Sequence, residues 1–400
     1  MLDIQRRGLV ISGAAGLLTG LVLALVIWDE TPPPRQAASP VATPVAAAPA
    51  SAVAPQPGPA LVDTAVPTEL LNVAAAGKVD GRMVQDLGGG KLVEYTVMPE
   101  LQKRASDILS EAEVPYGAMV ALEPKTGRIL GYVQHSEHRP DISNIAGLAI
   151  PPSASVFKVI TAAALIEHAR IAPDYEVCFN GGRRGFKLPQ LEDDPRRDTR
   201  CHSLTEALGR SSNIVFGKLA DRHLNADILD QYARKFGWGK NIPFELPLEP
   251  SAAKFEQDRL TLAQTAAGFY NTQMSPVHAA LIAGSIANDG LMMSPHIIEK
   301  YSAGGRTIQT RSANPLGRVI KKRTARVLGE MMVATTELGT ARSYFSKRAR
   351  SLKGIRVAAK TGSLSARDYN DERHHFSWWI GFAPAENPTI AVAALVVNVG

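Results

Sequence analysis

Two cysteines in 400 residues, Cys178 and Cys201, are too few for a disulfide-stapled scaffold. Aromatic residues make up only 6% of the chain, and its 44 Lys and Arg are interleaved with 38 Asp and Glu. The formal charge of +6 is therefore spread out, without the dense basic stripe that nucleic-acid binding needs. What is abundant is apolar residues, 45% of the chain, enough to bury one large core or two modest ones.

The first informative segment is Gly8 to Trp28, an uncharged apolar run of 21 residues, about 32 Å as a helix at ~1.5 Å per residue and so matched to a ~30 Å hydrocarbon core. Arg6 and Arg7 precede it and Asp29 and Glu30 follow it. The positive-inside rule then predicts residues 1–7 as a cytoplasmic tail, residues 8–28 as a transmembrane anchor, and the rest outside. A cleaved signal peptide is the competing reading, but the run is longer than a signal core and no small-x-small site stands directly behind it. Gly16 and Gly20 form a GxxxG that would let two such helices approach, a weak signal because small residues are common in membrane helices.

Residues 29–67 form a linker; from Thr31 to about Pro67 it is dominated by Ala, Pro, Val, Ser and Thr, a composition that cannot bury a core and that would reach ~110 Å if extended at ~3.1 Å per residue. Residues 68–94 are an ambiguous linking segment, and the folded unit is expected over 95–400, beginning near Tyr95. Tyr116–Leu122 and Gly127–Val133 read as two strands of a hairpin around Glu123-Pro-Lys-Thr126. A long helical stretch is expected from about Val156 through the 280s, including a run from about Leu260 to Ala287. Phe376–Ala383 and Thr389–Asn398 are again strands. Strands at both ends around a helical middle predict an α+β domain, its antiparallel sheet built from both ends of the unit, flanked by helices and carrying an all-helical lobe between them.

Cys178 and Cys201 lie beyond the anchor, where an oxidising compartment makes a disulfide the default pairing; a metal site with His202 is the rival, and it lacks paired ligand spacing. The pair His374-His375 likewise lacks partners at ligand spacing and reads as surface. The segment between the cysteines, rich in Arg and acids, has no assignment.

Three short patterns carry chemistry: Ser155-Val-Phe-Lys158, Ser211-Ser-Asn213 and Lys360-Thr-Gly-Ser363. Each is weak alone, since Ser251-Ala-Ala-Lys254, Ser312-Ala-Asn314 and Lys125-Thr-Gly127 repeat them. Context separates the copies. The run Val156–Ile166 holds only two polar residues, Lys158 and Thr161, so it reads as a buried helix opened by Ser155. A serine there is an ordinary helix N-cap were it not for the lysine three residues on. An apolar helix would desolvate that lysine and lower its pKa toward a basic amine. Lys254, by contrast, is followed by Phe-Glu-Gln-Asp-Arg, an exposed setting. Lys125-Thr-Gly127 sits at the hairpin turn, and Ser312-Ala-Asn314 is closed by Pro315 in a polar stretch. Lys360-Thr-Gly362 ends the apolar run that starts at Ile355, so it belongs on a strand, with Thr361 and Ser363 on one face and Lys360 on the other. Ser211-Ser-Asn213 falls between two helical runs, the first opened by a Ser203-x-x-Glu206 capping box.

S-x-x-K, S-x-N and K-T-G in this order resemble the penicillin-binding protein family over roughly Tyr95 to Asn398. Further likeness lies in Val114-Pro-Tyr-Gly-Ala-Met-Val-Ala-Leu-Glu-Pro-Lys-Thr-Gly127, Ser275-Pro-Val-His-Ala-Ala-Leu-Ile-Ala-Gly284, Asn288-Asp-Gly290 and Ser377-Trp-Trp-Ile-Gly-Phe-Ala-Pro384. The resemblance implies a transpeptidase domain at 95–400 without a glycosyltransferase domain. It would act on peptidoglycan stem peptides from the inner membrane, with the domain in the periplasm, with β-lactams as inhibitors, cell-wall synthesis proteins as partners and no cofactor. It makes Ser155 the nucleophile, Lys158 its base, Ser211, Asn213 and Lys360 the further catalytic groups, and Thr361, Gly362 and Ser363 the substrate-binding strand. Three rival outcomes share the motifs: a D,D-carboxypeptidase or endopeptidase with water as acceptor, a non-catalytic β-lactam sensor or scaffold, and a β-lactamase, for which no Glu-x-x-x-Asn element follows Asn213. The chain stops at Gly400 inside a strand pattern where relatives usually continue into a further strand end and a helix, so either the sequence is truncated there or this end is unusual.

Overall fold

The computed structural model describes residues 66–111, 114–137, 144–182, 185–347, 352–367 and 372–399. The tail 1–7, the anchor 8–28 and nearly all of the linker 29–67 lie outside the described residues. Among those described, no helix is long and apolar enough to cross a membrane.

Fourteen described strands run β1 Gly77–Val79, β2 Arg82–Gly88, β3 Lys91–Tyr95, β4 Tyr116–Leu122, β5 Ile129–Ser136, β6 Glu176–Phe179, β7 Arg200–Ser203, β8 Leu291–Met293, β9 Ile298–Ala303, β10 Arg306–Thr310, β11 Pro315–Arg318, β12 Ala358–Arg367, β13 Arg373–Ala383 and β14 Ile390–Val399. The helices are α1 Pro99–Glu111, α2 Lys158–Glu167, α3 Leu204–Gly209, α4 Asn213–His223, α5 Ala226–Lys235, α6 Arg259–Ala266, α7 Pro276–Ala287, α8 Lys322–Glu337 and α9 Arg342–Lys347.

The main sheet is antiparallel in the order β12-β13-β14-β4-β5, so both ends of the domain do meet in it. Every residue of β4 is buried, as expected of a strand covered on both faces. Alternation sends Met119, Ala121, Trp379, Val392 and Ala394 to a cluster with Leu101, Ala105 and Leu109 of α1 and Phe345 of α9. The opposite side chains, among them Val120, Trp378, Ile380, Ala393 and Leu395, join the larger core that contains α7. Ser275 caps α7 by accepting from the His278 N–H at 3.2 Å, with Pro276 at the first helical position. Each large aliphatic side chain buried this way contributes about 1.5–3 kcal/mol.

Four features depart from the sequence expectation. Residues 68–94 are folded: β1, β2 and β3 pair with β9 and β10 in a second five-stranded sheet. Their partner strands lie some two hundred residues away, which no local pattern reports. The helical middle is interrupted by the β6–β7 hairpin, and the run 260–287 is broken between α6 and α7. Ser155 does not cap an α-helix; it sits in a 3-10 turn, Ala154–Phe157, that feeds α2. Finally, His374 is not on the surface. It belongs to β13, is 1% exposed, and stands edge-on to Tyr116 with ring centroids 5.7 Å apart.

Candidate active site

The cleft forms where three pieces of backbone converge on the 154–157 turn. Pro152 is tied to the domain from both sides, accepting from Trp378 Nε1 at 2.8 Å and bridging to Gln273, while the Ser153 N–H donates to the Thr272 carbonyl at 2.9 Å. Ala154 takes a positive φ of 49°, which turns the chain so that Ser155 is presented half-buried at the start of the turn. Gly268 backs this turn so closely that a Cβ there would lie 2.0 Å from the Ala154 carbonyl oxygen. Gly362 of the edge strand β12 approaches from the other side, where a Cβ would lie 3.2 Å from the Ser155 nitrogen.

Lys158, the first residue of α2, has no accessible surface. Its Nζ lies 2.8 Å from Ser155 Oγ, donates to Asn213 Oδ1 at 2.7 Å and donates to the Ala267 carbonyl. All three partners are neutral. Burial without a carboxylate holds its pKa far below the ordinary lysine range, and the nearby Lys360 charge lowers it further. A neutral lysine amine has two hydrogens and one lone pair. Asn213 and Ala267 take the two hydrogens, so the lone pair faces the Ser155 hydroxyl.

Lys360, on β12, is equally buried; its Nζ donates to Ser211 Oγ at 2.9 Å and to the Thr361 carbonyl at 2.6 Å, and burial lowers its pKa to about 7. Ser211 has φ 57° in the link between α3, whose capping box of Ser203 and Glu206 is present, and α4, which begins at Asn213. That left-handed backbone separates the Ser211 hydroxyl from the helix and aims it at Lys360. Thr361 Oγ1 shares a 2.6 Å hydrogen bond with Thr340 Oγ1. Ser363 is exposed on the same strand.

The structure thus gathers Ser155, Lys158, Ser211, Asn213, Lys360, Thr361 and Gly362 at one cleft, with Ser363 next along the strand. The repeated patterns go elsewhere. Lys254 is an exposed side chain paired with Glu256, and Ser251 is bound to His278 Nδ1 at 2.6 Å in the core. Gly127 turns the β4–β5 hairpin with φ 81°. Cys178 and Cys201 face each other across the β6–β7 hairpin and are joined in a disulfide, which takes both thiols of the rival metal reading. No group of three or more His, Cys, Asp or Glu among the described residues could hold a metal ion.

Sequence reasoning missed Gly268, Ala267, Thr340 and Lys218. Gly268 carried a signal, a glycine inside the run expected over 260–287, which marks the helix end that the structure places at Ala266 but not its contact with the turn. Thr340 follows Gly339, an uninformative context, and no motif or spacing marks Lys218.

Residues 117–400 match the family model described as the penicillin binding protein transpeptidase domain. The peptidoglycan D,D-transpeptidase PbpA of Mycobacterium tuberculosis is 29% identical over 347 residues, covering 78% of this chain and 68% of the relative. The crystal structure of PBPA from Mycobacterium tuberculosis matches with a TM-score of 0.62 at 27% identity, covering 76% of this chain and 74% of that one. A penicillin-binding protein A from the same organism, in its imipenem acyl-enzyme complex, matches with a TM-score of 0.63 at 29% identity over the same shares.

Proposed function

The chain belongs to the penicillin-binding protein transpeptidase domain family, and from that premise we propose that it is a peptidoglycan D,D-transpeptidase working through an acyl-enzyme on Ser155. The observation that carries the reading is the buried Lys158 amine, 2.8 Å from Ser155 Oγ and partnered only by neutral groups. Penicillin binding follows from the same chemistry, because a β-lactam carbonyl would acylate the same serine.

Lys158 takes the Ser155 proton as Oγ attacks the carbonyl of the penultimate D-Ala of a stem peptide. The oxyanion is met by the backbone N–H groups of Ser155 and Ser363. Collapse breaks the C–N bond; the proton held by Lys158 is relayed through Ser211, which Lys360 polarises, to the departing amine, and the terminal D-Ala leaves. The amine of a neighbouring stem then attacks the ester and yields a proton to Lys158, the C–O bond to Ser155 breaks as Oγ takes that proton back, and the cross-link is formed. Asn213 holds Lys158 and the substrate amide, while Thr361 and Ser363 bind the substrate carboxylate beside Gly362, which must stay small to let β12 approach the nucleophile.

The apolar run 8–28, with Arg6 and Arg7 before it, supports a single membrane anchor with the catalytic domain on the extracytoplasmic side, tethered through 29–67. Proteins of cell-wall synthesis are the expected neighbours there. Incubating the protein with two stem peptides and analysing products tests the reaction. Cross-linked dimers that depend on Ser155 are expected, whereas tetrapeptide alone would assign a carboxypeptidase. Retention of the full chain, but not of residues 63–400, in the membrane fraction tests the anchor.

A further inference from the structure

The described residues between Cys178 and Cys201 have no part in the mechanism above, yet several of them pack along one face of α4, the helix that begins with Asn213. Gly182 packs on Ile214, where an added Cβ would lie 2.4 Å from the isoleucine Cβ. Phe186 covers Gly217, where a Cβ would lie 2.6 Å from the ring. Lys218, without accessible surface, donates to the Cys178 carbonyl at 3.0 Å, to Asp193 Oδ1 at 3.1 Å and to Asp198 Oδ2. Arg222 Nη2 reaches Asp193 Oδ1 at 2.6 Å, and Arg259 bridges Glu192 to Asp221. Positions 214, 217, 218, 221 and 222 form one helical stripe. Asn213 and Phe216 lie off that stripe and meet Lys158 instead, through the 2.7 Å hydrogen bond and a ring centroid 5.9 Å from Nζ.

The loop is also bound within itself at the level of Lys218. Asp198, whose side chain is 4% exposed, accepts from Asn180 Nδ2 and from the Asp194 N–H at 3.1 Å. The disulfide joins the two strands on which this cluster hangs. Phe186 extends the contact to Phe269, with ring centroids 6.0 Å apart, next to the 267–268 backbone that touches both Lys158 and the nucleophile turn.

We propose that Lys218 is a positioning residue for the reaction: by bolting the 178–201 loop to α4, it presses the helix toward Lys158 and so fixes Asn213 and the dry setting of the Lys158 amine. This inference rests on the Ser155–Lys158 reading for its kinetic consequence but not for its structural one. The left-handed Ser211 immediately before α4 is a conformation that persists only when its surroundings hold it, and the clamp supplies the hold on the downstream side. With Lys218 gone, Asn213 swings off Nζ, water reaches the amine, and Lys158 becomes easier to protonate.

The test uses the full chain with Lys218→Met, together with Lys218→Met combined with Asp198→Asn, which removes the orphaned carboxylate should the single variant fold poorly. Benzylpenicillin acylation is followed as a function of pH, scaled to folded protein. Hydrogen exchange is read over residues 213–217, with residues 276–287 as reference. We expect acylation at pH 7 to fall about tenfold to a hundredfold, as for a misplaced catalytic group. The acid limb of the profile should move to higher pH, and exchange over 213–217 should rise relative to the reference. A lower melting temperature with unchanged acylation, acid limb and relative exchange would make Lys218 a purely structural residue and overturn the proposal. If the wild-type chain itself forms no adduct, the transpeptidase reading falls, and the exchange arm alone decides the clamp: faster exchange at 213–217 upholds it and unchanged exchange overturns it.

Discussion

Lys158 and Lys218 are residues of the same type, equally inaccessible to water, on helices that pack against each other. Lys158 faces a serine hydroxyl, an amide oxygen and a carbonyl; Lys218 faces a carbonyl and two carboxylates, Asp193 and Asp198. Hydrogen bonding to Arg222 first, and to Lys218 second, holds Asp193 below the usual carboxylate range despite partial burial. At Asp198 burial opposes the charge most strongly, yet hydrogen bonds led by that from Lys218 still leave its pKa lowered. The carboxylates turn one lysine into a structural ion pair, and their absence leaves the other as an amine available to take a proton. Burial alone therefore does not make a base; burial without a counter-ion does.

That contrast can be broken from either side. Removing the amine by Lys158→Met should lower acylation by about a thousandfold, near the middle of the range for lost general-base catalysis, while thermal stability holds or rises because a desolvated amine is gone. Acylation rates and a melting curve check this. Giving Lys158 the counter-ion it lacks, through Asn213→Asp, should keep it protonated at neutral pH. Acylation at pH 7 is expected to fall about a hundredfold and to recover as pH is raised, because the lysine pKa has moved up. At the clamp, Asp198→Asn leaves Lys218 with only Asp193 as a carboxylate partner and should cost roughly 3 kcal/mol in urea unfolding, the scale for breaking a buried pair.

A further effect is a slope in stability with pH. Lys360 titrates at about 7 in the folded protein, and an unfolded lysine near ~10.4. Between these values the unfolded chain binds more protons, so stability rises with pH through that window and is level on either side of it. Urea midpoints measured from pH 7 to 10 should rise in the wild type and rise less in Lys360→Met.

The Ser155–Lys158 pair was readable because its logic is local: three residues apart in an otherwise apolar run, a serine and a lysine share one side of a helical turn. The main sheet was readable because Tyr116–Leu122 and the C-terminal strands are apolar runs bounded by turn residues. Lys218 was not, since its carboxylates lie 20 to 25 residues upstream in the Arg- and acid-rich segment that sequence patterns leave unassigned. β1, β2 and β3 were hidden for the same reason at longer range: their mixed residues make a strand only with β9 beside them. His374 looked exposed because a polar residue before an apolar strand usually is, and only pairing with β12 and β14 shows that it lies inside the sheet.

That Ser155 is the nucleophile of this site is tested most directly by intact-mass spectrometry of residues 63–400 exposed to benzylpenicillin beside a Ser155→Ala control. One adduct of penicillin mass is expected, persisting for many minutes and missing from the control. A folded sample that gains no adduct, or a control that still gains one, would contradict it.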